Sequence, residues 1–136
     1  MCDISKKTKL KQVTVYKAVD KNFVYPEWEG EGKYEYVSCF TYFPLRVGRV
    51  EKDSAYSEGR GARLYNQNMI GRVSGFVNKK YAKSLVSGSL GTADAVLKIV
   101  LGGDIMQGTG KNISEDIPSR CKVYAGTEIL SMEEIP

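Results

Sequence analysis

The chain contains no histidine. That absence removes Ser-His-Asp and Cys-His nucleophilic arrangements, the HExxH zinc motif and every imidazole acid or base. Any chemistry must use carboxylates, lysine, tyrosine or a thiol. Cysteine is scarce: Cys2, Cys39 and Cys121 are odd in number and lack CxxC spacing, which argues against a disulfide framework and a cysteine-built zinc site. Cys39 and Cys121 lie in strand-like runs and read as small, reduced core residues. Long hydrophobic runs are missing too. The longest, Ala95 to Leu101 (AVLKIVL), is seven residues with Lys98 inside it, far short of the ~20 needed to span a bilayer. The opening MCDISKKTKLKQ has lysines but no apolar segment of signal-peptide length. These absences lead us to expect a cytoplasmic protein with no membrane partner and no metal or cofactor.

Of the 136 residues, 42% are hydrophobic and 26% charged, an ordinary globular balance. A chain of this size forms one core. No repeat, linker or low-complexity tract divides it, so one globular domain over 1–136 is expected. Nine tyrosines and fourteen glycines against four prolines favour strands and turns over a helical bundle. Net charge is +4, modest for a protein that coats DNA. Lys6, Lys7, Lys9 and Lys11 crowd the start, and Glu128, Glu133 and Glu134 load the end. Residues 1–11 therefore read as a flexible basic tail.

Periodicity supplies the elements. Gln12 to Val19 alternates, with Val13, Val15 and Val19 on one face and Thr14, Tyr16 and Ala18 on the other. Lys33 to Phe43 is aromatic and β-branched and predicts a second strand before Pro44. Pro44 to Gly61 has no sustained period and reads as a long connection around a short strand at Arg46 to Glu51. Ile70 to Val77 predicts a strand weakened by two glycines. Asn78 as cap, the spacings Tyr81/Leu85 and Ala82/Val86, and Gly88 as stop predict a short helix around 79–87. Ala95 to Leu101 and Lys122 to Leu130 complete the strands. The fold class is α+β, a mostly antiparallel β-sheet with one short helix.

Two segments stand out as candidate sites. AVLKIVL runs directly into GGDIMQGTGKN, read as a glycine-rich loop at a strand exit. The P-loop pattern fails there, because Ile105 stands where its first glycine belongs and Asn112 follows Lys111. A looser anion nest remains, built from the amides of Gly108 to Asn112, including Gly110, with Lys111 as counter-charge. The competing reading is a plain connection with glycines at positive φ. Second, Arg46, Arg49, Arg60, Arg63 and Arg72 are five of the chain's six arginines and fall within 27 residues. Tyr42, Tyr56, Tyr65 and Phe76 interleave with them. Guanidinium groups hold phosphates bidentately and tyrosines stack on bases, which suits an anionic planar ligand. Pairing with Glu51, Asp53 and Glu58 is the bland alternative. Trp28, between Glu27 and Glu29, is either a partner anchor or a cover on the core edge. Asp104 and Glu128 are the better acid or base candidates, and magnesium at Asp104 lacks a second ligand at a known spacing.

The order of a first strand with Tyr16-Lys17-Ala18, a Ser74-Gly75-Phe76 strand leading into an alanine-bearing helix, then AVLKIVL and GTEIL resembles the layout of ADP-ribosyltransferase-like domains. Members of that family usually carry arginine or histidine where Lys17 stands, and a serine-threonine-serine element that SGF does not reproduce. The resemblance implies an enzyme acting on a nucleotide cofactor, with Glu128 as the catalytic glutamate and Lys17 or arginines holding phosphates. The reading taken from the residues themselves is a small binding protein, a regulator or inhibitor. Its partner is an anionic small molecule or nucleic acid, engaged through the Arg46–Arg72 segment and the glycine segment. A protein partner, or a homo-oligomer formed by aromatic edge strands, is a third reading.

Overall fold

The computed structural model describes residues 2–24, 33–39, 43–50, 68, 71–87, 93–110, 117 and 120–136. Among these, nine strands and one helix follow in the order β1 (Cys2–Lys7), β2 (Val13–Val24), β3 (Lys33–Ser38), β4 (Gly48–Arg49), β5 (Val73–Phe76), α1 (Lys79–Ser87), β6 (Ala95–Gly102), β7 (Met106–Gly110), β8 (Lys122–Gly126) and β9 (Glu128–Ile135). The expected class holds: a mostly antiparallel sheet with a single short helix. Among the described residues no helix is long and apolar enough to cross a membrane.

The strands lie in the order β1-β7-β8-β5-β2-β6-β9-β4, with β3 paired to the far half of β2. β8 and β9 are consecutive in the chain, joined only through Thr127, yet β5, β2 and β6 separate them in the sheet. Lys122–Gly126 and Glu128–Ile135 thus act as one long strand bent at Thr127. Its first half pairs with β5 and β7 and its second with β6 and β4. The bend closes β8-β5-β2-β6-β9 into a ring. Closure is tight, since a Cβ on Gly126 would lie 2.9 Å from the Gly102 carbonyl oxygen and 3.0 Å from the Leu101 Cβ. A β-bulge at Leu130 of β9, between the partners of Val100 and Leu101, falls three residues beyond the bend, where local twist is needed.

Side chains alternate across the ring as a pleated strand requires. Val15, Val19, Val73, Leu97, Ile99, Leu101 and Ile129 fill the inside, with Phe43, Leu45 and Val50 packed among them. The outside carries Ala18, Phe76, Val96, Val123 and Ala125, against which α1 seats Ala82 and Leu85. AVLKIVL is apolar except at Lys98 because Ala95, Leu97, Ile99 and Leu101 fill the inner core while Val96 packs in the outer one. The helix begins where the sequence predicts: the Asn78 side-chain oxygen accepts the Lys80 amide at 2.9 Å and its carbonyl accepts the Tyr81 amide at 3.1 Å.

Several boundaries move. β2 extends to Val24 and β3 stops at Ser38, where Ser38 N donates to Phe43 O and Leu45 N to Tyr36 O, folding the chain back along β3. The short strand expected around Arg46 contracts to Gly48–Arg49. The basic tail is a correction. Cys2–Lys7 forms β1, paired with β7, because Ile4 is wholly buried in the outer core while Lys6 and Lys7 stay in solvent. Cys39 and Cys121 are buried and form no disulfide, as expected.

Candidate functional site

The arginine segment divides between two places. Arg46 lies 4.2 Å over the Tyr34 ring beside β3. Arg49, on β4, stands opposite Glu128 and is exposed. Arg72 donates to Asp104 O at 3.1 Å and Asn68 O at 2.9 Å and pairs with the Asp104 carboxylate. At 12% exposure its guanidinium clamps the turn after β6, a structural task. Arg49 and Arg72 nevertheless share one corner: Val50 N donates to Thr127 O and Asp104 N to Thr127 Oγ1, both at 2.9 Å. Arg60, Arg63, Tyr56, Tyr65, Trp28 and Lys111 lie outside the described residues.

The glycine segment is not one loop. Gly102 ends β6, Gly103 to Ile105 turn beside Thr127, and Met106–Gly110 is strand β7, hydrogen-bonded between β1 and β8. Gly108 pairs with Ile4 and Val123, and the Gly110 amide donates to Cys121 O at 2.8 Å. A nest needs successive amides turned to one side, whereas strand amides alternate. Gly108 and Gly110 therefore contribute ladder bonds rather than a nest. Among the described residues no group of three carboxylate or thiol ligands could hold a metal ion.

Lys17 and Glu128, the pair implied by the transferase-like layout, are not brought together. Lys17 is opposite Leu97 and Glu128 opposite Gly102, which sets them roughly 17 Å apart along β6. Lys17 Nζ donates to Ser74 O at 2.9 Å. The terminal glutamates face strand lysines: Glu133 stands across from Lys98, and Glu134 meets Lys21 at 3.1 Å and accepts the Tyr36 hydroxyl at 3.0 Å. The hydrogen bond from Lys21, then that from Tyr36, holds the Glu134 carboxyl below its usual range. Partial burial, then Glu134, pushes the Tyr36 phenol up. With phenol neutral and carboxylate charged at neutral pH, the trio braces β2, β3 and β9. Near it, burial and then the Asp94 charge raise Asp20.

One basic surface among the described residues was legible in the sequence only as a lysine-faced helix. Lys79, Lys80 and Lys83 are exposed on the first turns of α1, where no acidic residue stands. Their offsets of one and four residues place all three on one side of the helix. The Val77 amide donates to Lys122 O at 3.2 Å, so the start of β8 abuts the helix N-terminus and adds exposed Arg120 and Lys122. Lys122 Nζ sits 5.2 Å over the half-buried Tyr124 ring. The sequence signal was cationic i, i+4 spacing directly after a cap with no acid nearby. No protein-family model matches this chain, and comparison with curated proteins and with solved structures finds no match.

Proposed function

We propose that this is a binding protein that engages an anionic partner through the basic face made by the first half of α1 and the start of β8. The observation that supports the reading is an electrostatic arrangement unfavourable to the fold itself. Lys79 and Lys80 crowd a helix N-terminus with no acid in its first turn, where the macrodipole disfavours cations. Arg120 and Lys122 add to the same sign. An anion at this face relieves the repulsion, so binding and local stability pull together. Arg46 and Arg49, both exposed, are secondary contacts in this reading, whereas Arg72 is committed to its turn. The transferase-like alternative draws no support from the placement of Lys17 and Glu128.

Retention on immobilised heparin tests the proposal. The folded protein should be held at low salt and eluted as salt rises, and the triple variant Lys79→Ala, Lys80→Ala, Lys83→Ala should elute much earlier with unchanged circular dichroism. Passage of the wild type without retention, or equal retention of the variant, overturns it.

A further inference from the structure

The cations of this face do not converge on a point, and that distribution speaks to the shape of the partner. α1 brings Lys83, Lys79 and Lys80 to its N-terminal end, and Lys122 follows where β8 meets Val77. From Lys122 the surface turns onto the sheet face away from α1, because α1 packs on the side of Val123 and Ala125. Tyr124 lies on that far face, half-buried against the inner core, opposite Gln107 of β7, and Gln107 is opposite Lys6 of β1. Cross-strand partners share a face, so Tyr124, Gln107 and Lys6 form one row across three strands. Lys6 is exposed and Tyr124 half-buried. The line from Lys83 to Lys6 measures roughly 25 Å by helix rise, strand rise and strand spacing.

A compact anion such as a mononucleotide needs donors aimed at one place, whereas spaced cations with an aromatic ring between them match a flexible chain of repeated negative charge and planar bases. We infer that this track binds single-stranded nucleic acid. A base stacks on Tyr124, and the lysines before and after it contact successive phosphates. Lys122, now over the ring, moves to a phosphate when a base takes its place. Such an exchange is easy, since an exposed ammonium–ring contact is weak. The track fits the short end of the range of about four to sixteen nucleotides used by single-strand grooves. This inference rests on the anionic-partner reading and names its partner.

Fluorescence anisotropy with labelled oligodeoxythymidine of about twelve nucleotides decides it, alongside a blunt DNA duplex, polyglutamate and the heparin column. The single strand should bind more tightly than duplex or polyglutamate. The affinity should fall as salt rises from about 50 to 200 mM, with a log–log slope of about −2 to −3 for three or four phosphates. Tyr124→Leu keeps the apolar packing and should weaken single-strand binding about five- to hundred-fold while leaving heparin retention unchanged. Tyr124→Phe should bind like the wild type, and Lys122→Ala, at an exposed position, should weaken both. Heparin retention with equal affinity for duplex, with polyglutamate preferred, or with a folded Tyr124→Leu protein that binds single strands normally overturns the nucleic-acid inference alone. Loss of heparin retention by the wild type overturns the parent reading as well.

Discussion

Gly103 and Gly75 show how little room the closed sheet leaves. Gly103 has φ +73°, and a Cβ there would meet Thr127 Oγ1, the acceptor of the Asp104 amide. Gly103→Ala combines left-handed strain with that clash and should destabilise the protein by about 1–3 kcal/mol. At Gly75 the φ is unremarkable, but a Cβ would stand 2.6 Å from Val15 Cγ2 inside the ring. Overpacking should make Gly75→Ala about 1–3 kcal/mol less stable. Urea unfolding with an unchanged m-value checks both. The Tyr36–Glu134–Lys21 trio predicts opposite pH limbs. Tyr36 titrates above its ordinary value of 10.0 in the folded state, so its contribution is complete below that pH and is lost as pH rises through the raised value. Tyr36→Phe should therefore flatten the alkaline fall in stability. Glu134 titrates below its ordinary value, so its contribution holds above the carboxylate range and fades as pH falls through the lowered value. Glu134→Gln should flatten the acid limb. Asp20, raised instead, acts in the opposite sense, and Asp20→Asn should steepen that limb.

At the scale of the element, α1 sets stability against binding. Lys79→Glu replaces a like-charge neighbour of Lys83 with an acid in the first turn, which should stabilise the fold by about 0.3–1 kcal/mol and weaken heparin retention. If stability and retention instead fall together, Lys79 has a packing role and the electrostatic argument fails. Asn78→Ala should remove about 1 kcal/mol through loss of the Lys80 amide bond. The helix was readable because its cap, its Tyr81/Leu85 and Ala82/Val86 spacings and its stop are all local. β2 and β6 were readable because Val13, Val15 and Val19 alternate and AVLKIVL is apolar but for Lys98. β7 was hidden: in MQGTG the glycines mimic a loop, and only pairing on both sides makes a strand of it. β1 was hidden by Lys6 and Lys7, since one buried residue, Ile4, is too little pattern to reveal a strand. For the site, arginine clustering drew attention to a segment whose described members part between Tyr34 and the Thr127 corner, while Lys122 and Tyr124 join the helix lysines only through folding.

The whole molecule is organised around β2, which bonds to β6 on one side and to β5 and β3 on the other. Amide exchange should be slowest where Val13–Val19 pairs with Ala95–Leu101, deep between the two cores, and fastest at Gly48–Arg49, whose two-residue strand holds one edge of β9. Uniform exchange across both would contradict this hierarchy. Ring closure was beyond sequence patterning, because it depends on one bend that joins two strands with three others between them in the sheet. That bend also orders events during synthesis. The apolar interior lined by β2, β5 and β6 leaves the ribosome before Lys122–Ile135, the segment that joins β5 to β6 on the side away from β2 and closes the ring. Until that segment emerges, the nascent chain presents an open, oily trough, a natural target for chaperones that screen unfinished proteins.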